Sequence, residues 1–139
     1  MPHIVPACLL CAVVLGQIPV EVVVETDRVL GVINHLEPLS SRHCVVFPRR
    51  HVPRLHDVDD QELAQMASAI REIARDFELN DFNVLLNNGE LAGQTVFHVH
   101  FHVIPKWGAE DGLQMSRDAA VHAEEVPGGE ASPRIAPLG

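Results

Sequence analysis

The sequence predicts an α+β domain, and three patterns carry that expectation. Short Val- and Ile-rich segments recur between residues 20 and 48, a run from Leu63 to Phe77 has helical apolar spacing, and HVHFHVIP (98–105) alternates with the period of a strand. With 139 residues and 47% hydrophobic content, the chain can bury one sizeable core and has little room for a second.

Taken in order, the opening IVPACLLCAVVL has no Lys or Arg before it and is far shorter than the roughly 20 residues that cross a bilayer. It reads as a short buried helix ending near Gly16, not as a secretory leader or a membrane span. Residues 20–25 and 29–33 flank Thr26-Asp27-Arg28 and form a hairpin pattern. HCVVFP supplies a third strand closed by Pro48, with Cys44 as a small buried hydrophobe. From Asp59 onward, Leu63, Met66, Ile70, Ile73 and Phe77 make one apolar stripe, and Asp59 with Glu62 suits a capping box. LLNN (85–88) is strand-like and runs into a loop containing Gly89 and Gly93. Arg49 and Arg50 read as a solvated turn in preference to substrate contacts. After Trp107 the chain turns polar and then Pro/Gly-rich, so residues 1–110 are expected to form the domain and 111–139 an extension that is partly disordered or dimer-associated.

The chemistry concentrates in the row His98, His100 and His102. Side chains two apart on a strand share a face, so three imidazoles would line one side while Val99, Phe101 and Val103 enter the core. Imidazole, with an ordinary pKa of about 6.5, is mostly neutral yet readily protonated near neutrality. Such a row suits either a zinc ion with an open coordination position or a nucleophile acting on phosphorus. The preceding NNGELAGQTVF favours phosphate, because Gly89 and Gly93 let backbone approach an anion and Gln94 and Thr95 add neutral donors. Near the start, Cys8 and Cys11 have the spacing of a metal pair, a redox pair or two small residues of a buried helix.

Composition narrows the partners. The net charge of −9, from 10 basic against 19 acidic residues, argues against nucleic acid and leaves a small nucleotide within reach of local donors. Three cysteines make no disulfide framework, which predicts a reducing, cytoplasmic setting, and an apolar opening too short to span a bilayer predicts no membrane association.

HVHFHVI resembles the signature of the histidine-triad (HIT) nucleotide hydrolases and transferases, His-x-His-x-His followed by two apolar residues. The resemblance extends through NNGELAGQTVF, HCVVFPRRHV and the opening CLLCAVVLGQIPVEVVVETDRVLGV, covering roughly the first 110 residues. It implies a five-stranded antiparallel sheet with one long and one short amino-terminal helix, two such sheets joining in a homodimer. It also implies a purine nucleotide substrate cleaved at the α-phosphate through a nucleotidyl-histidine. His100 would be the nucleophile, His102 and His43 its partners or phosphate contacts, and Gln94 and Thr95 would sit at the scissile bond. Asn87 would contact the nucleotide. For the ribose contact, GVINHLEPLSSRH is one residue longer than the family's usual spacing, so Asn34 is preferred with His35 as the rival. Members with the amino-terminal cysteine pair resemble related nucleotidyltransferases that hold structural zinc, which implies Cys8, Cys11, His51 and His98 as ligands and no catalytic metal. Trp107 is expected to stack on a base or to pack at the dimer seam. A zinc-stabilised nucleotide-binding or interaction protein with incidental hydrolysis is the alternative function, and a catalytic metal on the three row histidines is a third.

Overall fold

The computed structural model describes residues 3–115, so the character expected of the tail from residue 116 lies outside the described residues. The strands β1 (Val22–Glu25), β2 (Val29–Ile33), β3 (Cys44–Pro48), β4 (Phe82–Leu85) and β5 (Phe101–Pro105) form one antiparallel sheet in the order β1-β2-β3-β5-β4. The last strand therefore inserts between β3 and β4, where His102 pairs with Val45 on one side and Leu85 on the other.

Both faces of the sheet are covered, and the side-chain alternation of its strands sorts the core. Val29, Cys44, Val46 and Val103 meet Met66, Ala69 and Ile73 of helix α2 (Asp60–Asp76). Leu30, Val32, Val45 and Phe47 project the other way, against Cys8, Leu10, Cys11 and Val13 in and around helix α1 (Leu9–Val14). Every residue of β3 is buried. Cys44 is among them, its thiol pushed up to about 12 chiefly by burial, as suits an inert core residue. Gly31 lets α2 come close, since a Cβ there would lie 3.3 Å from Ile73 Cδ1.

Helix α2 starts at the expected capping box: Asp59 Oδ1 accepts from Glu62 N–H at 2.8 Å, and Glu62 Oε1 accepts from Asp59 N–H at 3.0 Å. The stripe differs from expectation, because Leu63 is 42% exposed and the inward positions are Glu62, Met66, Ala69 and Ile73. The buried Glu62 carboxylate is satisfied by Arg50, whose Nη2 and Nε donate to it at 2.7 and 3.1 Å, so a charged residue takes the place the apolar pattern gave to Leu63. Arg49 donates to Glu25 at 2.7 Å and to the Thr26 carbonyl at 3.0 Å, so both arginines are tied into the scaffold.

The histidine row also departs from a single strand. Only His102 lies in β5; the chain bends at Val96–His98, and His98 and His100 precede the strand. The bend drives His98 fully into the interior while His100 and His102 stay partly accessible, so the three imidazoles do not share one surface. Among the described residues no helix is long and apolar enough to cross a membrane.

Candidate functional site

Two histidine clusters grow out of this bend. In the first, Cys8 at the start of α1, Cys11 in its first turn, His51 after β3 and His98 bring their ligand atoms within 4.8 Å of one another. Cys8 Sγ lies 3.5 Å from His98 Nδ1, and Cys11 Sγ lies 3.6 Å from His98 Nδ1 and 3.4 Å from His51 Nδ1. Tetrahedral zinc, with Zn–S near 2.3 Å and Zn–N near 2.0–2.1 Å, separates sulfur and nitrogen ligands by roughly 3.6 Å, so the four side chains fit that ion. The tautomer fits as well. His98 Nε2 donates to the Pro48 carbonyl at 2.6 Å, which leaves the Nδ1 lone pair toward the sulfurs. Burial holds the His98 pKa down to about 4, keeping the ring neutral, and burial raises the Cys11 thiol, a cost that a bound cation would reverse.

The second cluster contains His43, His100 and His102. A carbonyl can only accept, so the 2.7 Å contact of His100 Nδ1 with the His98 carbonyl places the proton on Nδ1 and leaves Nε2 with a free lone pair. A backbone N–H can only donate, so the 3.1 Å bond from Leu39 N–H to His43 Nδ1 makes His43 the Nε2–H tautomer. His43 Nε2 then donates to His102 Nδ1 at 2.9 Å, which puts the His102 proton on Nε2. The rings of His100 and His102 stand edge to face, 5.0 Å between centroids. Burial lowers the pKa of all three, that of His102 to about 4, so the network is neutral at pH 7. Taken as a unit, it presents one imidazole nitrogen able to attack and one imidazole N–H able to donate.

His43, His100 and His102 open on a cavity of about 800 Å³. Leu9, Leu10, Val13, Ile18, Val20, Val32 and Val45 give it an apolar wall, and Asn34, His35, Asn87, Gln94 and Thr95 share its lining. An aliphatic slot next to a polar, histidine-bearing end suits a ligand with a flat apolar part and an anionic part. The Gly89–Gly93 loop is shaped from within: Gln94 Oε1 accepts from Gly89 N–H at 2.7 Å, and its Nε2 donates to the carbonyls of Pro53 and Val96 at 2.8 and 3.1 Å. Gln94 was expected to offer its amide to phosphate oxygens. Here both of its N–H groups meet backbone carbonyls, so in this arrangement the side chain clamps the loop. Asn34 Oδ1 accepts from Leu36 N–H at 3.1 Å in a local turn, whereas the His35 ring has no hydrogen-bond partner among the described residues. Trp107 is half exposed and its Nε1 donates to the Ser41 carbonyl at 2.8 Å, a contact that residue spacing did not foretell.

Fold and site together define a small α+β domain with a histidine-lined ligand cleft. The HIT domain model matches residues 15–108. The chain is 36% identical over 107 residues to adenosine 5'-monophosphoramidase hnt1 of Schizosaccharomyces pombe, covering 77% of this chain and 80% of that protein. It is 36% identical over 115 residues to Protein hit of Bacillus subtilis, covering 80% and 79%. Among solved structures, the histidine triad nucleotide-binding protein from Candida albicans superposes with a TM-score of 0.72 at 27% identity, covering 86% of this chain and 92% of that one. The chain belongs to the HIT domain family.

Proposed function

We propose that this protein is a nucleotidyl hydrolase that cleaves P–N or P–O–P bonds at the α-phosphate of a purine nucleotide. The observation that carries the reading is the fixed tautomer of His100, whose Nδ1–H bond to the His98 carbonyl leaves Nε2 as a nucleophile beside the cavity. A relative named as an adenosine 5'-monophosphoramidase, similar over most of both chains, supports the substrate class.

In the first step His100 Nε2 forms a bond to the α-phosphorus as the bond to the amine or phosphate breaks; the leaving group keeps that electron pair, and an amine takes up a proton from solvent as it departs. Water then attacks the same phosphorus and gives up a proton to solvent, the bond from phosphorus to Nε2 breaks with its electron pair returning to the ring, and His100 is again neutral. The His102 Nε2–H is the group suited to donate to a phosphoryl oxygen as charge builds there, with His43 holding that ring. Thr95 and Asn87 line the cavity as further contacts, and Asn34 or His35 meets the sugar.

Cys8, Cys11, His51 and His98 would hold a structural zinc. Bound there, it pins α1 to the segment carrying His100 and leaves no open position for substrate. A homodimer completes the reading, with β4 at the sheet edge and Val84 on it 44% exposed.

The test is release of AMP from adenosine 5′-phosphoramidate and, in parallel, from diadenosine tetraphosphate, with His100→Ala as control. Release that vanishes in the variant establishes the nucleophile. Nucleotide binding without release from either substrate by the unaltered protein would overturn the hydrolase in favour of a binding protein.

A further inference from the structure

The chain leaving β5 turns back on the loop before β3. The Asp111 carboxylate closes this turn by accepting from the backbone N–H groups of Trp107 at 3.0 and 3.1 Å and of Gly108 at 2.8 Å. Gly112 follows with φ +72°, and a Cβ there would stand 2.8 Å from the Pro105 carbonyl oxygen, so the close approach requires glycine. Three hydrogen bonds join turn to loop: Trp107 Nε1–H to the Ser41 carbonyl at 2.8 Å, Gly112 N–H to the Leu39 carbonyl at 2.9 Å, and Ser40 Oγ–H to the Pro105 carbonyl at 2.6 Å. They fall on Leu39 and the two residues after it, and the Leu39 N–H itself reaches His43 Nδ1.

We infer that the Trp107–Gly112 turn is a positioning element that selects the tautomers of the histidine network. The contact between His43 Nε2 and His102 Nδ1 can be made with the proton on either ring. Only the donor at Leu39 decides, because it forbids a proton on His43 Nδ1 and so obliges His43 to donate and His102 to keep its proton on Nε2. A loosened Leu39 would admit the opposite arrangement, in which His102 donates through Nδ1 and its Nε2 becomes an acceptor facing an anionic substrate. Trp107 and Asp111 thus act on the phosphoryl chemistry through Leu39 and His43. Neither needs to touch substrate.

The kinetic consequence rests on the proposed hydrolase, whereas the tautomers are read without substrate. The experiment is nitrogen-15 NMR of the imidazoles in the intact protein, in Trp107→Phe and in Asp111→Asn, alongside turnover of adenosine 5′-phosphoramidate. In the unaltered protein both His43 and His102 should carry the proton on Nε2. In each variant the two rings should shift together toward a mixture, with kcat down about threefold to tenfold and KM within about twofold. A proton on His43 Nδ1 in the unaltered protein, or tautomers unmoved in both variants, would overturn the inference. Expected tautomers that shift in the variants of a protein that hydrolyses nothing would support the positioning element and defeat the hydrolase. Both substitutions fall in an exposed turn, and the unaltered protein alone decides the first point should either variant fail to fold.

Discussion

His43 Nε2 and His102 Nδ1 lie 2.9 Å apart although 59 residues separate them in the chain. The bond exists because β5 inserts beside β3: pairing of Cys44 with Val103 brings the residue just before β3 near the second residue of β5. Sheet order is therefore what converts two scattered histidines into one proton-ordered unit.

That unit makes stability depend on pH. Burial lowers the His43 pKa below 6.5 and that of His102 to about 4, so between those limits the unfolded chain binds more protons than the folded one. The stabilisation is complete above pH 6.5 and is lost as pH falls through the folded values. Because the His102 ring is only partly shielded from solvent, we expect a modest loss, about 1 kcal/mol or roughly 5 °C in Tm between pH 6.5 and 4.5. Thermal melts across that range check it, and a His43→Asn, His102→Asn double variant should flatten the slope.

Metal analysis should find one zinc per chain, and a strong chelator should lower Tm by more than about 10 °C, since metal binding to a site absent from the unfolded chain is folding energy. Cys11→Ser removes a fully buried ligand and should abolish stoichiometric zinc. Protein purified without added zinc that contains none, and melts identically with chelator, would refute the site.

Glu62 is expected to be the most sensitive residue in the first turn of α2. Its carboxylate serves both the capping box and the Arg50 pair while 2% exposed. Glu62→Ala leaves Arg50 and the Asp59 N–H without it and should cost about 2–3 kcal/mol by urea unfolding, whereas the exposed neighbour Leu63→Ala should cost under about 1 kcal/mol. The opposite ranking would restore the stripe through Leu63.

Features with a local period were legible in the sequence. The hairpin around Thr26-Asp27-Arg28, β3 closed by Pro48 and the Asp59/Glu62 cap each follow from residues within a few positions of one another. Features set by distant partners were not. The inward turn of Glu62 depends on Arg50, the bend that separates His98 from β5 depends on a metal-type cluster 87 to 90 residues away, and the tautomer of His43 depends on a backbone N–H at Leu39. Leu63 looked like core because hydropathy counts an apolar residue and cannot count an ion pair that replaces it.

Gln94 gives the sharpest test of that difference. As a phosphate donor, its loss would weaken substrate contact and leave the fold intact. As the clamp described by its bonds to Gly89, Pro53 and Val96, it is 3% exposed and fully partnered, so Gln94→Ala strands the buried Gly89 N–H and takes the donor from the part-buried carbonyls of Pro53 and Val96. We expect a stability loss of about 2–3 kcal/mol by urea unfolding, accompanied by a fall in kcat as Thr95 and the Gly89–Gly93 loop drift from the cavity. Gln94→Glu keeps the acceptor but turns the donors into a second acceptor facing the carbonyls of Pro53 and Val96, and it should be at least as destabilising. Wild-type unfolding in both variants with activity reduced would return Gln94 to the phosphate.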